Sequence, residues 1–195
     1  MTTNVFSNEQ NIIAGEDRFK TAIEISKSWE TSQQAILVNS KAAPDLLCAT
    51  VLSSQIDCPI LLTNKTKINE GTNNEIKRLK VNKLYLIGGE DVIHETIENE
   101  LNKKHINTER IYGQDRYETS IKVANKVNEL KKSNTVILVN GEYSVADAVS
   151  ISPVAGEKNI PVILCKDRKV NNQIQWMKDN NIRRSEEHTS ELQSR

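Results

Sequence analysis

The sequence predicts an α/β protein of tandem modules, each a mostly parallel sheet flanked by helices on both faces, with a truncated second module. Three observations support this prediction: a repeat of domain size, an alternation of apolar runs with amphipathic stretches, and the composition of a folded protein. The chain has 195 residues, of which 37% are hydrophobic, and 26 Lys and Arg balance 26 Asp and Glu. That composition excludes a disordered tail, and its neutral net charge argues against a nucleic-acid binder.

The repeat is the strongest signal. Gly15–Ile23 (GEDRFKTAI) recurs as Gly113–Ile121 (GQDRYETSI) 98 positions later, and Pro59–Leu62 (PILL) returns as Pro161–Leu164 (PVIL) 102 positions later. Short loop insertions explain a drift of this size. Because a period of about 100 residues is that of a domain, the pattern indicates a tandem duplication and not a solenoid of short units.

Within each copy, short apolar runs alternate with longer helical patterns. Nearly continuous runs of Ile, Leu and Val are typical of parallel strands that are covered on both faces. Such strands are predicted at Ala35–Val38, Pro59–Thr63 and Lys83–Ile87. Helices are predicted at Leu46–Gln55, Glu75–Leu79, Val92–Lys103 and Ala148–Lys158. This alternation predicts a parallel sheet with crossover helices.

The second copy is expected to be incomplete. The predicted division is an N-terminal extension (1–10), a complete first module (11–108), an incomplete second module (109–183) and a polar tail (184–195). Ile174 matches Ile76 at an offset of 98, so the counterpart of the strand at Leu84 should begin near Ile182. The tail has no apolar periodicity there. We therefore expect no core strand from it, which would leave a sheet edge of the second module unpaired.

Neither end of the chain adds to the predicted fold. Residues from Arg184 onward resemble the in-frame translation of a sequencing-library adapter, and we leave them out as a non-native tail. A natural polar tail is the alternative. Met1–Phe6 has neither the basic segment nor the apolar core of a signal peptide. The longest apolar run, Cys58–Leu62, is too short for a membrane span.

The repeated Gly-x-Asp-Arg-aromatic-x-Thr segment is the most specific local pattern. Asp17 and Asp115 are placed to cap the helices that follow them. Arg18 and Arg116 offer a planar fork to an acidic ligand or to a carboxylate of the protein itself. Two interpretations stay open: a helix cap with an internal or intermodule salt bridge, or direct contact with a ligand.

A second group of candidates follows the predicted strands. Asp45 and Asp147 come after a strand and a short loop, at the carboxyl edge of the sheet, where open α/β sheets usually bind ligands. Aspartate is also a favoured helix N-cap, so both roles remain open. Gly88 and Gly89 would let the backbone approach a ligand, or would make a turn that needs positive φ.

Sequence patterns for catalysis are missing. The chain has no phosphate loop, no dinucleotide fingerprint and no nucleophile elbow. His94 stands in HETIE and lacks the second histidine of a zinc protease. Cys48, Cys58 and Cys165 have no zinc-like spacing and are interpreted as buried thiols. We therefore predict no catalytic residue, no metal and no cofactor.

Several of these segments together resemble the type 2 cell wall binding repeat of Gram-positive bacteria: Gly113–Thr119, the Asp147 helix, Pro59–Leu62 and Leu84–Gly89 (LYLIGG). The resemblance implies a Toprim-like fold for each module and three modules around a pseudo-threefold axis. It also implies noncatalytic, noncovalent anchoring of surface proteins, such as S-layer proteins, to an anionic secondary cell wall polymer outside the cell. Phe19 departs from the usual tyrosine of the repeat.

The resemblance also implies partners and a site. The expected partners are the anionic polymer and a third module or effector domain of the parent chain, with no nucleic acid and no membrane span. The alternative is the targeting part of a wall amidase of the N-acetylmuramoyl-L-alanine type. Candidates for polymer binding or for module interfaces are Asp17, Arg18, Thr21, Lys41, Asp45, Pro59, Ile60, Leu61, Leu62, Lys65, Gly88, Gly89, Asp115, Arg116, Thr119, Asp147, Pro161, Val162, Ile163 and Leu164. Of these, the four cations Arg18, Arg116, Lys41 and Lys65 are expected to pair with acidic groups of the polymer.

Overall fold

Two parallel sheets organise the chain. The computed structural model describes residues 12–142, 145–166, 170–182 and 184–188, with the backbone alone for 145–149 and 184–188. The helices are α1 (Arg18–Ser26), α2 (Ala43–Ile56), α3 (Glu70–Leu79), α4 (Glu95–Lys103), α5 (Arg116–Leu130), α6 (Val145–Lys158) and α7 (Asn171–Asp179). The strands are β1 (Gln34–Asn39), β2 (Ile60–Thr63), β3 (Lys83–Ile87), β4 (Asn107–Ile111), β5 (Thr135–Asn140), β6 (Val162–Cys165) and β7 (Arg184–His188).

The first sheet has the strand order β2-β1-β3-β4, and every pair is parallel. Successive residues of β1 point to opposite faces of the sheet, so its buried side chains need a cover on both faces, and helices supply it. Ile36 and Val38 pack in one cluster with the apolar side of α2, while Leu37 packs in a second cluster with Ile76 of α3 and Leu101 of α4. The predicted doubly covered parallel sheet is confirmed.

The element bounds differ from the prediction mainly at helix starts. Helix α3 begins at Glu70 because the Asn69 side chain caps it, accepting a hydrogen bond from the Thr72 N–H at 2.8 Å. Helix α4 begins at Glu95, after the N-cap His94, and not at Val92. Polar capping residues lie outside the apolar stripe, so hydrophobic periodicity alone does not locate them.

Strand β4 was not predicted. Its sequence, NTERI, is polar and partly exposed, and only Ile111 is buried. Such a strand forms at a sheet edge, where one side faces solvent and the backbone pairs with one neighbour only, here β3. The predicted boundary between residues 108 and 109 falls inside this strand.

The second sheet has the order β6-β5-β7, again parallel. The expectation that the polar tail contributes no strand was wrong. Arg184–His188 pairs with β5, and the pair Thr135 and Arg184 repeats the register of Gln34 and Lys83 in the first sheet. Backbone N–H and C=O groups make these ladder bonds whatever the side chains are, so polar residues can occupy the position.

The expected alignment of α7 at an offset of 98 was also wrong. The Thr72 hydroxyl donates to the Leu62 carbonyl at 2.9 Å, and the Gln173 amide donates to the Leu164 carbonyl at the same distance, which gives an offset of 101 for the helix. The reason lies upstream. Helix α5 has 15 residues where α1 has 9, so later elements are displaced relative to the repeated segment.

Helix α2 joins the two modules. It packs against α5 and α6, and one apolar cluster contains Val51 of the first module together with Val123 and Ile151 of the second. The Ser54 hydroxyl donates to the Gly156 carbonyl at 2.9 Å across this contact. None of the helices in the described ranges has the length and apolar character needed to span a membrane.

Candidate functional site

The repeated segment builds the same helix cap twice. The Asp17 carboxylate accepts a hydrogen bond from the Lys20 N–H at 2.8 Å, and the Asp115 carboxylate accepts one from the Glu118 N–H at 2.8 Å. Their backbones agree closely, with φ of −143° in both. The predicted capping role of both aspartates is confirmed, and it satisfies N–H groups that a helix start otherwise leaves free.

The glycine and the threonine of the segment close this cap. The Gly15 N–H donates to the Thr21 hydroxyl at 3.1 Å, and the Gly113 N–H donates to the Thr119 hydroxyl at 3.0 Å. A Cβ atom on Gly15 would collide with the backbone of Lys20. Thr119 is buried, so both threonines act in the structure of the turn.

The two arginines occupy matching positions at the carboxyl edge of their sheets. Arg18 Nη1 donates to the carbonyl of Ser40, just after β1, at 2.8 Å. Arg116 Nη1 donates to the carbonyl of Gly141, just after β5, at 3.2 Å. Both side chains are exposed, and no ion pair found within the described residues includes either of them. Of the two open interpretations, the salt bridge is not seen among the described residues. Each guanidinium bonds a carbonyl instead, and its positive charge stays open to solvent.

Two lysines extend this basic edge. Lys41 follows β1 and its N–H bonds to the side chain of Asn39 at 2.9 Å, while Lys65 follows β2 and its carbonyl accepts from the His94 N–H at 2.8 Å. Both are exposed, and neither takes part in an ion pair with another described residue. Arg18, Lys41 and Lys65 thus lie at the carboxyl edge of the first sheet, and Arg116 lies at the carboxyl edge of the second.

Asp45 does not cap a helix. Helix α2 starts two residues earlier, with Pro44 in its first turn, and its N-cap Ala42 supplies no side-chain bond. Asp45 is 5% exposed, and no described donor makes a hydrogen bond to its carboxylate. Burial raises the pKa of Asp45 to about 6, against the lowering effect of the Arg116 charge in the second module. Asp147 lies in α6, and its side chain is outside the described part of the structure.

The Gly88–Gly89 turn lies beside Asp45. Gly88 has φ +113°, a conformation that disfavours other residues. Arg110 of β4 secures this turn, because its Nη1 donates to the Gly88 carbonyl at 2.9 Å and its Nη2 bonds to Glu98 at 2.9 Å. Sequence reasoning missed Arg110 because it missed the strand that holds it. The turn interpretation of Gly88 is supported.

The two Pro-x-x-Leu segments form core strands. The Pro59 carbonyl accepts from the Ile36 N–H at 3.0 Å, and the Pro161 carbonyl accepts from the Ile137 N–H at 2.9 Å. The apolar side chains of both segments are buried apart from Ile60, which is partly exposed: the buried ones are Leu61, Leu62, Val162, Ile163 and Leu164. These residues position the carboxyl edge by pairing with β1 and β5.

Metal-ligating side chains do not cluster in the described part of the chain. Across residues 12–142, 150–166 and 170–182, no three His, Cys, Asp or Glu side chains lie close enough together to hold a metal ion. Cys48, Cys58 and Cys165 are buried, as predicted. Burial raises the pKa of the Cys58 thiol to about 12 and raises that of Cys48 further, so both are thiols and not thiolates at neutral pH.

Two copies of one α/β unit, each with the same capped helix and the same exposed arginine at its sheet edge, define a tandem-repeat binding protein. The chain belongs to the cell wall binding domain 2 (CWB2) family, whose model matches residues 12–98 and 110–187. Its role is cell wall binding, and the family places it at the cell surface.

Comparisons with individual proteins agree. The chain is 26% identical over 170 residues to the N-acetylmuramoyl-L-alanine amidase LytC of Bacillus subtilis, which covers 87% of this chain and 34% of LytC. Among solved structures it resembles Cwp6 from Clostridium difficile, with a TM-score of 0.84, 34% identity, and coverage of 90% of this chain and 28% of Cwp6. Cwp8 from Clostridium difficile matches with a TM-score of 0.75 and 26% identity, over 90% of this chain and 35% of Cwp8. The chain thus spans about a third of the length of these proteins.

Proposed function

We propose that this chain anchors a surface protein noncovalently to an anionic secondary polymer of a Gram-positive cell wall, without catalysis. The observation that carries the proposal is the repetition of one exposed guanidinium, Arg18 and Arg116, at the same place in both modules. A duplicated cation matches a ligand that is itself a repeating chain of acidic groups. Phosphate and carboxylate groups both accept two parallel N–H bonds from arginine.

Under this proposal, the affinity for the polymer comes from many weak ion pairs and not from any single strong contact. An exposed ion pair is worth about 0–1 kcal/mol. Lys41 and Lys65 add two further cations to the edge of the first module. Linked modules gain affinity through effective concentration when all can engage one polymer. We therefore propose that the parent protein supplies a third module, and that the two modules alone bind more weakly than the set.

The parent protein contains further sequence whose function the two modules do not determine. LytC is named as an amidase, and this chain covers 34% of it. The second candidate function is accordingly the targeting part of a wall hydrolase whose catalytic domain lies elsewhere in the parent. Recovery of the complete reading frame distinguishes a hydrolase domain from a structural surface domain. The wall-binding role of the two modules is the same in both cases.

The test is sedimentation with purified Clostridium difficile walls, before and after chemical removal of their anionic polymers. We expect the chain to pellet with intact walls, to stay in solution with stripped walls, and to be released by high salt, because exposed ion pairs are screened. The double variant R18Q/R116Q should bind more weakly, by up to about thirtyfold for two lost ion pairs of about 1 kcal/mol each. Glutamine keeps an amide donor for the carbonyls of Ser40 and Gly141 while the charge is lost.

A matched control separates this site from general charge effects. Lys77 and Lys103 are exposed on α3 and α4, away from the carboxyl edge, and K77Q/K103Q removes the same charge. Binding by the control should equal that of the unchanged chain. Equal retention on stripped walls, or equal weakening in both double variants, would contradict the proposal.

A further inference from the structure

A pocket lies at the opposite end of the second module from the basic edge. It has a volume of about 610 Å³ and is formed by the C-terminal ends of α5, α6 and α7, which precede the amino ends of the strands. Pockets for small ligands commonly measure about 300–1,000 Å³. Every residue of its lining is polar: five asparagines, Ser133, Lys131, Lys132, Lys158 and Asp179.

Positive charge dominates this pocket. Lys131, Lys132 and Lys158 are exposed, and in the described ranges none of the three forms an ion pair. The single carboxylate, Asp179, accepts a hydrogen bond from Gln175 of its own helix at 2.8 Å. A lysine near a helix C-terminus interacts favourably with the helix dipole, which by itself explains why a lysine such as Lys158 occurs there. Lys131 and Lys132 lie at such an end too, and the pocket is where these helix ends bring three ammonium groups around one cavity.

A fixed amide network forms one wall. Asn128 is 8% exposed, its Nδ2 donates to the Asn180 side chain at 3.1 Å, and its Oδ1 accepts from the Ser133 N–H at 3.2 Å. Asn180 in turn donates to the Trp176 carbonyl at 2.9 Å. Side chains held in this way keep their orientation when a ligand arrives, which lowers the entropic cost of binding.

In the first module, side chains cover the position that corresponds to this pocket. Asp57 and Asn159 are equivalent, since both follow the second helix of their module with φ of 47° and 53°. In the first module, Trp29 Nε1 donates to the Asp57 carboxylate at 3.0 Å, and Arg78 donates to the carbonyls of Trp29 and Glu30, each at 3.1 Å. An indole and a guanidinium thus cover the position that stays open in the second module.

The charges are also reversed between the modules. At the offset of 101 set by the strands, Glu30 corresponds to Lys131 and Arg78 corresponds to Asp179. The charged residues of the lining are therefore not repeated in the first module, and the common architecture of the repeat does not require them. The two exchanges offset each other in charge. The open position, together with three lysines against one carboxylate in the lining, points to a ligand.

We propose that this pocket binds one acidic sugar unit, a ring that carries a carboxylate or a phosphate ester beside free hydroxyl groups. The three lysines pair with the anion, and the asparagine amides exchange hydrogen bonds with the hydroxyls, for which an amide supplies both donors and an acceptor. The inference goes beyond the basic edge and does not depend on it. The sugar unit can come from a wall polymer or from a free sugar acid, and the chemistry of recognition is shared.

The experiment is an NMR titration of the ¹⁵N-labelled chain with trigalacturonate, with glycerol 3-phosphate, and with a neutral galactose trisaccharide. We expect the anionic probes to shift the side-chain amide signals of Asn128 and Asn180 and the backbone signals of residues 131–134. Signals of Arg18 and Arg116 should move much less with the short probes. Absence of shifts at millimolar anionic probe, or equal shifts with the neutral sugar, would overturn the inference.

Variants decide whether the lysines are responsible. K131Q/K158Q should weaken trigalacturonate binding at least tenfold, and K77Q/K103Q should leave it unchanged, with thermal melting used to verify that both remain folded. Equal affinity of K131Q/K158Q and the unchanged chain would overturn the proposal. Because the probes are soluble, this result is independent of wall sedimentation, so the two proposals can fail separately. Wall retention of K131Q/K158Q then tells a polymer unit from a free sugar acid.

Discussion

The Asp45 carboxylate lies 3.2 Å from the position that a Cβ atom on Gly88 would occupy. The start of α2 and the turn after β3 are therefore in direct contact at the carboxyl edge of the sheet. The same Cβ atom would lie 3.0 Å from Val92 Cγ1. Together with φ of +113°, this crowding makes the turn dependent on glycine.

Replacing Gly88 with alanine should destabilise the protein. The left-handed backbone alone costs about 1–2 kcal/mol for a residue with a Cβ atom, and the contacts with Asp45 and Val92 add to it. Urea unfolding measures the loss. Gly89 is the matched control, because its Cβ would meet Tyr112 at an ordinary 3.5 Å. A G89A variant as unstable as G88A would show that the turn is sensitive for another reason.

Asp45 should make stability depend on pH. Its pKa is raised from 3.8 to about 6 in the folded state by burial, partly offset by Arg116. A group with a raised folded pKa stabilises the fold when protonated, so its contribution is full below about pH 4 and disappears as pH rises through about 6. The size is about 2–3 kcal/mol at 1.4 kcal/mol per pKa unit.

The measurement is the difference in unfolding free energy between D45N and the unchanged chain. Asparagine keeps the shape without the charge, so D45N should gain stability relative to the unchanged chain as pH is raised from 4 to 7. The control is D91N, the same substitution at an exposed residue, and an equal gain in D91N would contradict the role of burial. A flat difference for D45N would mean that its carboxylate is solvated or paired in solution.

The fold of the first module could be predicted well, because its signals are local and apolar. Strand β3 matches its predicted range, Lys83–Ile87, residue for residue, and the parallel order follows from strand–helix alternation. Strand β4 could not be predicted, since its NTERI sequence is stabilised by backbone pairing at an edge and not by burial. The Toprim-like fold and the origin of the residues from Arg184 onward remain predictions.

The candidate site was predictable in part. The cap made by Asp17 needs only the residues that follow it, so a short pattern identifies it. The partner of Arg18 is the backbone carbonyl of Ser40, 22 residues away. Every residue carries a backbone carbonyl, so no sequence pattern identifies which one is bound. The burial of Asp45 was missed for a similar reason: it depends on the turn at Gly88 and on packing against the second module.

Removal of Arg78 should leave a buried carboxylate without its main partner. Glu75 is 4% exposed and accepts bonds from Arg78 at 2.6 Å and from the Ser26 hydroxyl at 2.6 Å. Burial acts to raise the pKa of Glu75, but the bonds from Arg78 and Ser26 outweigh it, so the pKa is lowered. R78M should therefore lose about 2–4 kcal/mol at pH 7, within the range for breaking a pair of which one member is buried.

The pH dependence of this loss supplies its control. A lowered folded pKa stabilises the fold above the unfolded value and stops doing so as pH falls, so the R78M penalty should shrink below about pH 4. K77M changes the neighbouring exposed lysine and should cost less than about 0.5 kcal/mol. If the stability lost in R78M did not vary with pH, the loss would come only from the bonds that Arg78 makes to the Trp29 and Glu30 carbonyls, and not from the ion pair with Glu75.

The contact between α2 and α6 should tolerate a methyl group at Gly156 and reject a larger side chain. A Cβ atom there would lie 3.6 Å from Ser54 Cβ and 3.8 Å from Thr50 Cγ2, which is ordinary contact. Alanine should stabilise the protein by about 0.5–1 kcal/mol, because glycine is unfavourable inside a helix. Leucine must push the helices apart and should cost about 1–3 kcal/mol.

The same variant should uncouple the unfolding of the two modules, because α2 shares one apolar cluster with the second module. We expect G156L to unfold in two urea transitions. The fluorescence of Trp29 reports the first module, and that of Trp176 reports the second. A single transition with unchanged midpoint in G156L would mean that this helix contact contributes little to the coupling between the modules.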